Sequence, residues 1–141
     1  MNKWDKRYLN LARLVASWSK DPSTQVGAVL VRDNKIVSVG FNGFPHGVAD
    51  DDRLLNRKTK LGMIIHAEMN AILHAERDLY CATMYTWPMM SCSNCAAAMI
   101  QAGVIRHVAP KSTEYPKWSH SHNLTRKMFA EAGLELNEEE I

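Results

Sequence analysis

Two short clusters restrict this chain more than anything else in it: His66-Ala67-Glu68, and Cys92-Ser93-Asn94-Cys95. Each opens a run patterned as a helix, and one strand-like run, Cys81 to Trp87, lies between them. For the clusters to meet, two helix starts must converge at one rim of a sheet, which a βαβ arrangement with parallel pairing provides. Their chemistry is the reason they should meet. Two thiolates and one imidazole make three good zinc ligands, and a catalytic zinc site holds three protein ligands where a structural one holds four. Glu68 is then left over as a carboxylate beside the metal, free to move protons. Cys92 and Cys95 lie three apart at a helix start, so both sulfurs face one side, and the helix N-terminus favours the thiolate form. Redox dithiols share Cys-x-x-Cys; pairing it with His-Ala-Glu on a second helix start makes the metal reading specific.

The rest of the chain reads around that centre. Residues 3 to 19 place Trp4, Tyr8, Leu11, Leu14, Val15 and Trp18 at spacings of three and four, predicting an amphipathic helix whose apolar stripe lies on a sheet. Asp21-Pro22-Ser23 ends it. Residues 25–31 and 35–41, rich in Val and Ile and separated by Arg32-Asp33-Asn34, predict an antiparallel hairpin. From Gly43 to about Lys60 no periodicity survives, so a long functional loop leading to His66 is expected, with Arg53, Arg57, Lys58 and Lys60 as solvated surface. Helices are predicted over 67–77, over 92–102 with Gly103 closing it, and over 119–132 with Leu124, Met128 and Phe129 inward and Gly133 closing it. Apolar strands are predicted over 81–87 and 104–109, with a short one at 134–136, and Cys81 reads as a small core residue. His46, His74, His107, His120 and His122 do not share the spacing of a second ligand set and read as ordinary surface or core residues.

At 141 residues the chain fits one domain, 1–141, able to bury a core without disulfides. Three cysteines, two of them in Cys-x-x-Cys, favour metal over a disulfide framework. A net charge of +2 does not describe a nucleic-acid coat, while a small anionic substrate stays compatible. No apolar run approaches the roughly 18 residues needed to span a bilayer, and the charged Met1–Arg7 segment lacks a signal-peptide core, so a cytoplasmic protein is expected.

His-x-E followed by Cys-x-x-Cys is the signature of zinc-dependent nucleobase deaminases. With it stand Ser19-Lys20-Asp21-Pro22-Ser23-Thr24-Gln25-Val26-Gly27-Ala28, Gly40-Phe41-Asn42-Gly43-Phe44-Pro45, His66-Ala67-Glu68-Met69-Asn70-Ala71-Ile72, and Cys95 through Gly103. Over about residues 4 to 136 the chain resembles the deoxycytidylate (dCMP) deaminase family. The resemblance implies an α/β fold, the cytidine-deaminase-like three-layer α/β/α with a mixed five-stranded sheet, and one catalytic zinc on His66, Cys92 and Cys95 with Glu68 as the proton carrier. It implies hydrolysis of dCMP to dUMP and ammonia, supplying dUMP for thymidylate synthesis. It also implies Asn42 on the sugar, Ala67 and Arg77 at the substrate, Arg77 near its phosphate, and Tyr115 over the base. The plainer readings are a turn residue for Asn42, a helix-end cation for Arg77 and a loop aromatic for Tyr115.

The family further implies a homo-oligomer, often a hexamer, switched by dCTP with Mg2+ and by dTTP through a site that includes Gly43, Phe44, Pro45 and Gly47. Relatives usually carry proline before the first cysteine, where this chain has Ser91; loss of a fixed φ there could loosen the turn. Extra Cys near residues 43–60, which would build a second zinc site, are missing, so a single zinc is expected. The alternatives are a deaminase of a 5-modified cytosine nucleotide, one acting on tRNA or single-stranded nucleic acid, which would need a basic groove, and a structural zinc module with a fourth ligand.

Overall fold

The computed structural model describes residues 2–111 and 115–140. Its elements run α1 (Lys3–Ala16), β1 (Gly27–Arg32), β2 (Lys35–Phe41), α2 (Arg57–Met63), α3 (Ala67–His74), β3 (Thr83–Trp87), α4 (Ser93–Ala102), β4 (Arg106–Pro110), α5 (Ser119–Ala132) and β5 (Glu135–Glu139). The five strands form one mixed sheet in the order β2-β1-β3-β4-β5. β1 is antiparallel to both β2 and β3, whereas β3, β4 and β5 are parallel, as the helix–strand alternation after His66 requires.

The hairpin joining β1 to β2 turns at Asp33 and Asn34, both with positive φ (53° and 59°), the two-residue turn whose twist matches that of its strands. Alternation along β1 then sends Val29 and Val31 to one face and Ala28 and Leu30 to the other. On the first face Val29, Val31, Tyr85 and Val108 pack under Tyr8, Leu9 and Ala12 of α1. On the second, Ala28, Leu30 and Met84 meet Ala67 and Ala71 of α3, Ala96 and Met99 of α4, and Phe129 of α5. The sheet is therefore sandwiched, with α1 alone on one side.

The predicted stripe of α1 is only half right. Tyr8 and Val15 are buried, but Trp4, Leu14 and Trp18 are about half exposed, and the packed face is instead Asp5, Tyr8, Leu9, Ala12, Val15 and Ala16. Small residues win because α1 crosses β1 directly over Gly27, where a Cβ would lie 2.5 Å from the Ala16 nitrogen and closer still to the Ala12 carbonyl. The displaced aromatics find surface partners: Trp4 stacks on Tyr8 and carries the Arg7 guanidinium, and Trp18 meets Phe41 edge-on. Buried Asp5 receives a two-pronged ion pair from Arg106 of β4, at 2.8 and 2.7 Å, and the Tyr85 hydroxyl at 2.7 Å. Burial pushes the Asp5 pKa up, and these donors outweigh it to hold the carboxyl below its usual range.

Three further expectations change. The segment 43–60 is not loop throughout: a 3-10 turn at Asp52–Leu55 leads into α2, capped by the Asn56 side chain on the Thr59 N–H at 3.1 Å. Cys81 is not a core strand residue but an exposed turn residue with φ 65° ahead of β3. In α5 Phe129 is buried and Met128 packs partly buried against the core as expected, but Leu124 is 39% exposed and His122 and Thr125 face inward instead, because the helix lies on the loop before Cys92 as well as on the sheet.

Candidate metal centre and active site

His66 and Cys92 occupy the same structural position. Each is the N-cap of its helix, α3 and α4, with extended backbone (φ −68°, ψ 154° and φ −67°, ψ 166°), and neither uses its side chain to cap the helix. The side chains are thereby free to point beyond the sheet rim, toward each other. The Cys92 and Cys95 sulfurs lie 3.3 and 3.4 Å from His66 Nδ1, and all three donor atoms fall within 4.8 Å of one another. Zinc at about 2.3 Å from sulfur and 2.1 Å from nitrogen would space tetrahedral S and N donors by roughly 3.6 Å. The observed separations are a few tenths short of that, so the trio fits the ion with little adjustment, and among the described residues it is the one cluster of this kind.

A hydrogen bond from Cys95, followed by one from His66, draws the Cys92 pKa down, and the same contact pushes that of Cys95 up. The bond to Cys92 raises the His66 pKa against the effect of burial. A bound metal would displace any thiol proton, since both sulfurs ligate as thiolates.

Glu68, in the first turn of α3, is 4% exposed. Burial, and then the charge on Cys92, raise its pKa, with His66 opposing. It lines the same cleft as His66 and Cys92, a concave site open to solvent. Ala67 lines this cleft too, and its N–H is one of the helix-start donors that have no partner within the helix.

Asn42 also lines the cleft, yet its amide is largely engaged in the fold. Oδ1 accepts from the Val26 N–H at 2.9 Å, and Nδ2 donates to the Thr24 carbonyl at 2.9 Å and to Asp21 at 3.2 Å. A second lone pair on Oδ1 is what it has to offer a ligand. Arg77 stands elsewhere: α3 ends at His74, and Arg77 is exposed on a bend beyond it, away from the residues lining the cleft. Tyr115 caps the Pro116–Trp118 turn and is half-buried, also outside the lining. Gly43 pairs with Ile65 in a two-way bridge (3.1 and 2.8 Å), Phe44 lies under the Arg53 guanidinium, Pro45 accepts from the Val48 N–H, and Gly47 has φ +87°, a conformation glycine suits. None of these four lines the cleft.

Other residues of the cleft were not expected there from the sequence. Lys60 is not solvated surface: it is 4% exposed, with Nζ 3.0 Å from Asp21 and 3.1 Å from the Ser23 hydroxyl. Arg57, the first residue of α2, and Lys117 line the cleft as well, and neither forms an ion pair with another described residue. Trp118 stands edge-on to the His66 ring at 6.4 Å between centroids. His122 is 2% exposed, and burial, then Arg126, lower its pKa. Trp118 Nε1 and His122 Nε2 are buried in the cleft wall without a hydrogen-bond partner among the described residues, a donor and an acceptor available to a ligand. Periodicity could have marked His122 as inward-facing on α5, but nothing local distinguishes a core histidine from one facing a cleft.

The family model for the zinc-binding region of cytidine and deoxycytidylate deaminases matches residues 2–110. Among curated proteins, an uncharacterized deaminase in the luxG 3′ region of Aliivibrio fischeri is 46% identical over 138 residues, covering 96% of this chain and 93% of its own. The deoxycytidylate deaminase of Mus musculus is 39% identical over 140 residues, with 94% and 77% covered. Among solved structures, the dCMP deaminase of cyanophage S-TIM5, in complex with dCMP and dUMP, superposes with a TM-score of 0.80 over 99% of both chains at 20% identity, a likeness of fold.

Proposed function

Because the chain belongs to the cytidine and deoxycytidylate deaminase family, we propose that it hydrolyses the 4-amino group of dCMP, giving dUMP and ammonia. The observation that carries this reading is Glu68: a buried carboxylate in the cleft of the His66–Cys92–Cys95 trio and not part of it. His66 through Nδ1 and the two cysteines through sulfur would hold zinc, which when bound supplies a Lewis acid that brings the pKa of water near 7.

Glu68 then handles both protons of the water consumed. The water oxygen bonds to C4 and the C4–N4 bond breaks; one proton passes to N3, where it remains in the product, and the other leaves with the amine. A carboxyl whose pKa is raised by burial suits that work, because it accepts and releases a proton near neutrality more readily than an exposed one. The Ala67 N–H and Trp118 Nε1–H are donors for the base carbonyl or sugar, and His122 Nε2 is an acceptor for a hydroxyl. Arg57 and Lys117 favour an anionic substrate, a nucleotide over a nucleoside.

The same reading extends to assembly and control. The family pattern adds an oligomer, a hexamer, responding to dCTP with Mg2+ and to dTTP, and the bridge between Gly43 and Ile65, which directly precedes His66, gives such a response a route to the site. An effector held by the Gly43–Gly47 turn would act on the metal ligand through two backbone hydrogen bonds, to the extent that it binds one state better than another. Ammonia release from dCMP, dCTP, deoxycytidine and 5-methyl-dCMP, assayed side by side, tests the substrate. Turnover highest on dCMP is expected, and preference for the nucleoside would refute it. Hyperbolic dCMP kinetics unchanged by dCTP or dTTP, in a preparation oligomeric by light scattering, would remove the regulatory half alone.

A further inference from the structure

Ser91, the residue immediately before the Cys92 ligand, is wholly buried, and the polar side chains gripping its loop take no part in the chemistry above. Thr86 Oγ1 donates to the Met89 carbonyl at 2.7 Å, and Thr125 Oγ1 of α5 donates to the Ser91 carbonyl at 3.0 Å. The Ser91 N–H donates to His107 Nε2 at 3.1 Å. His107 Nδ1 lies 2.8 Å from the Met84 carbonyl, which can only accept, so Nδ1 carries the hydrogen and Nε2 presents the lone pair that Ser91 requires. Thr86, Ser91, His107 and Thr125 are each 0% exposed, so water does not substitute for any of these bonds. Phe129 packs against the edge of the His107 ring at 5.8 Å. His107 sits on β4, paired with Met84 on β3, so the loop is referenced to the sheet.

We propose that His107 is a positioning residue for Cys92: through the Ser91 N–H it fixes the peptide from which the first thiolate reaches His66 and Cys95. Ser91 and His107 are then mutually required. A proline at 91 would place its Cδ about 1.5 Å from the nitrogen, on the path to Nε2 at 3.1 Å, and would remove the donor as well. With His107 gone, the same proline would leave neither a clash nor an orphaned N–H. The turn that a fixed φ would hold is held here by a hydrogen bond. This rests on the reading of His66, Cys92 and Cys95 as a zinc site.

The test is a double-mutant cycle on zinc-loaded protein, with H107A, S91P, H107A/S91P and H107Q. It is read by chelator competition for zinc and by the thiolate-to-cobalt absorption of the cobalt-substituted forms, with melting temperatures alongside. Loss of a residue that orients a ligand typically weakens metal binding about 10- to 100-fold. H107A and S91P should each fall in that range with a shifted cobalt band. H107A/S91P should hold zinc at least about tenfold better than S91P, and H107Q, which keeps an acceptor for the Ser91 N–H, should stay near wild type. Additive effects in the cycle would overturn the proposal, and so would H107A that melts lower but binds zinc and cobalt as wild type does. If S91P does not fold, H107A against H107Q decides on the same readout: equal zinc affinity overturns it. A wild-type chain without zinc affinity refutes the site reading itself and is told apart because no variant then differs.

Discussion

Gly40→Ala is a test of how closely the helix turn that carries His66 and Glu68 is seated. Gly40 on β2 lies under α3, and a Cβ built there would be 2.5 Å from the Ala71 nitrogen and nearer still to the Ala67 carbonyl. Both are backbone atoms, so no rotamer change relieves the contact. To restore even a tight 3.0 Å, α3 must retreat by at least about 0.5 Å, and by nearly 1 Å for ordinary contact. Ala67 lies between His66 and Glu68, so the proposed metal ligand and proton carrier move with it. Overpacking of this kind costs about 1–3 kcal/mol, and misplacement of catalytic groups by about 1 Å costs about 100-fold in rate. Gly40→Ala should therefore melt several degrees lower and lose about two orders of magnitude in kcat/KM on dCMP, followed by the loss of cytosine absorbance. Two controls separate these effects. Gly27→Ala makes an even closer backbone clash with α1, which carries no site residue, so it should lose stability while the folded protein keeps its kcat/KM. Gly62→Ala meets nothing within 4 Å inside α2 and should be neutral or stabilising by up to about 1 kcal/mol. Wild-type kcat/KM in Gly40→Ala, whatever its melting temperature, would refute the idea that β2 sets the position of His66 and Glu68.

Cys92→Ala or Cys95→Ala should lose most bound zinc and all turnover, whereas Glu68→Gln should keep zinc and the fold and lose about 10²- to 10⁴-fold in kcat; metal analysis and rate on the same sample check both. Arg57→Ala and Lys117→Ala should each raise KM for dCMP by about tenfold, an order typical of a lost charge-assisted contact, and leave deoxycytidine unaffected; equal effects on both substrates would exclude a role at the phosphate. Burial lowers the His107 pKa from 6.5 to about 4, against the Met84 carbonyl that raises it. Between those values the unfolded chain takes up a proton that the folded chain does not, so stability falls as pH drops from about 6.5 to 4 and is flat in this respect above. At about 1.4 kcal/mol per unit the loss approaches about 3 kcal/mol. Urea titrations of wild type and H107A/S91P in the same metal state should show that extra slope in wild type alone.

Much of the candidate site was legible because its residues announce themselves in short spans. His66, Glu68, Cys92 and Cys95 needed only the inference that each cluster starts a helix, and the structure makes His66 and Cys92 the N-caps. The glycine-closed ends of α4 and α5 and the hairpin were equally local signals. What stayed hidden depends on contacts distant in sequence. Lys60 looks like one of four surface cations until Asp21, 39 residues away, accepts from it in a buried position. The stripe on α1 was misread because hydrophobic spacing favours large residues, and Gly27 under the helix selects Ala12 and Ala16. His107 and His122 read as bland because a partner such as Ser91 or a cleft wall is not written next to them.

The three candidate ligands are also close along the chain. His66 is separated from Cys92 and Cys95 by 26 and 29 positions, whereas the Asp5–Arg106 ion pair that anchors α1 spans 101. Joining the ends of a loop grows costlier with length by about 0.6 kcal/mol per doubling, so the segment that would hold the ion closes about 1 kcal/mol more easily than the α1 anchor. An ion captured by that segment in an incompletely folded chain would staple α3, β3 and α4 together before the residues ahead of His66 had found their partners. Metal affinity is then in part folding free energy, and refolding should be faster with zinc present than with a chelator, with the α3–β3–α4 unit gaining amide protection before α1.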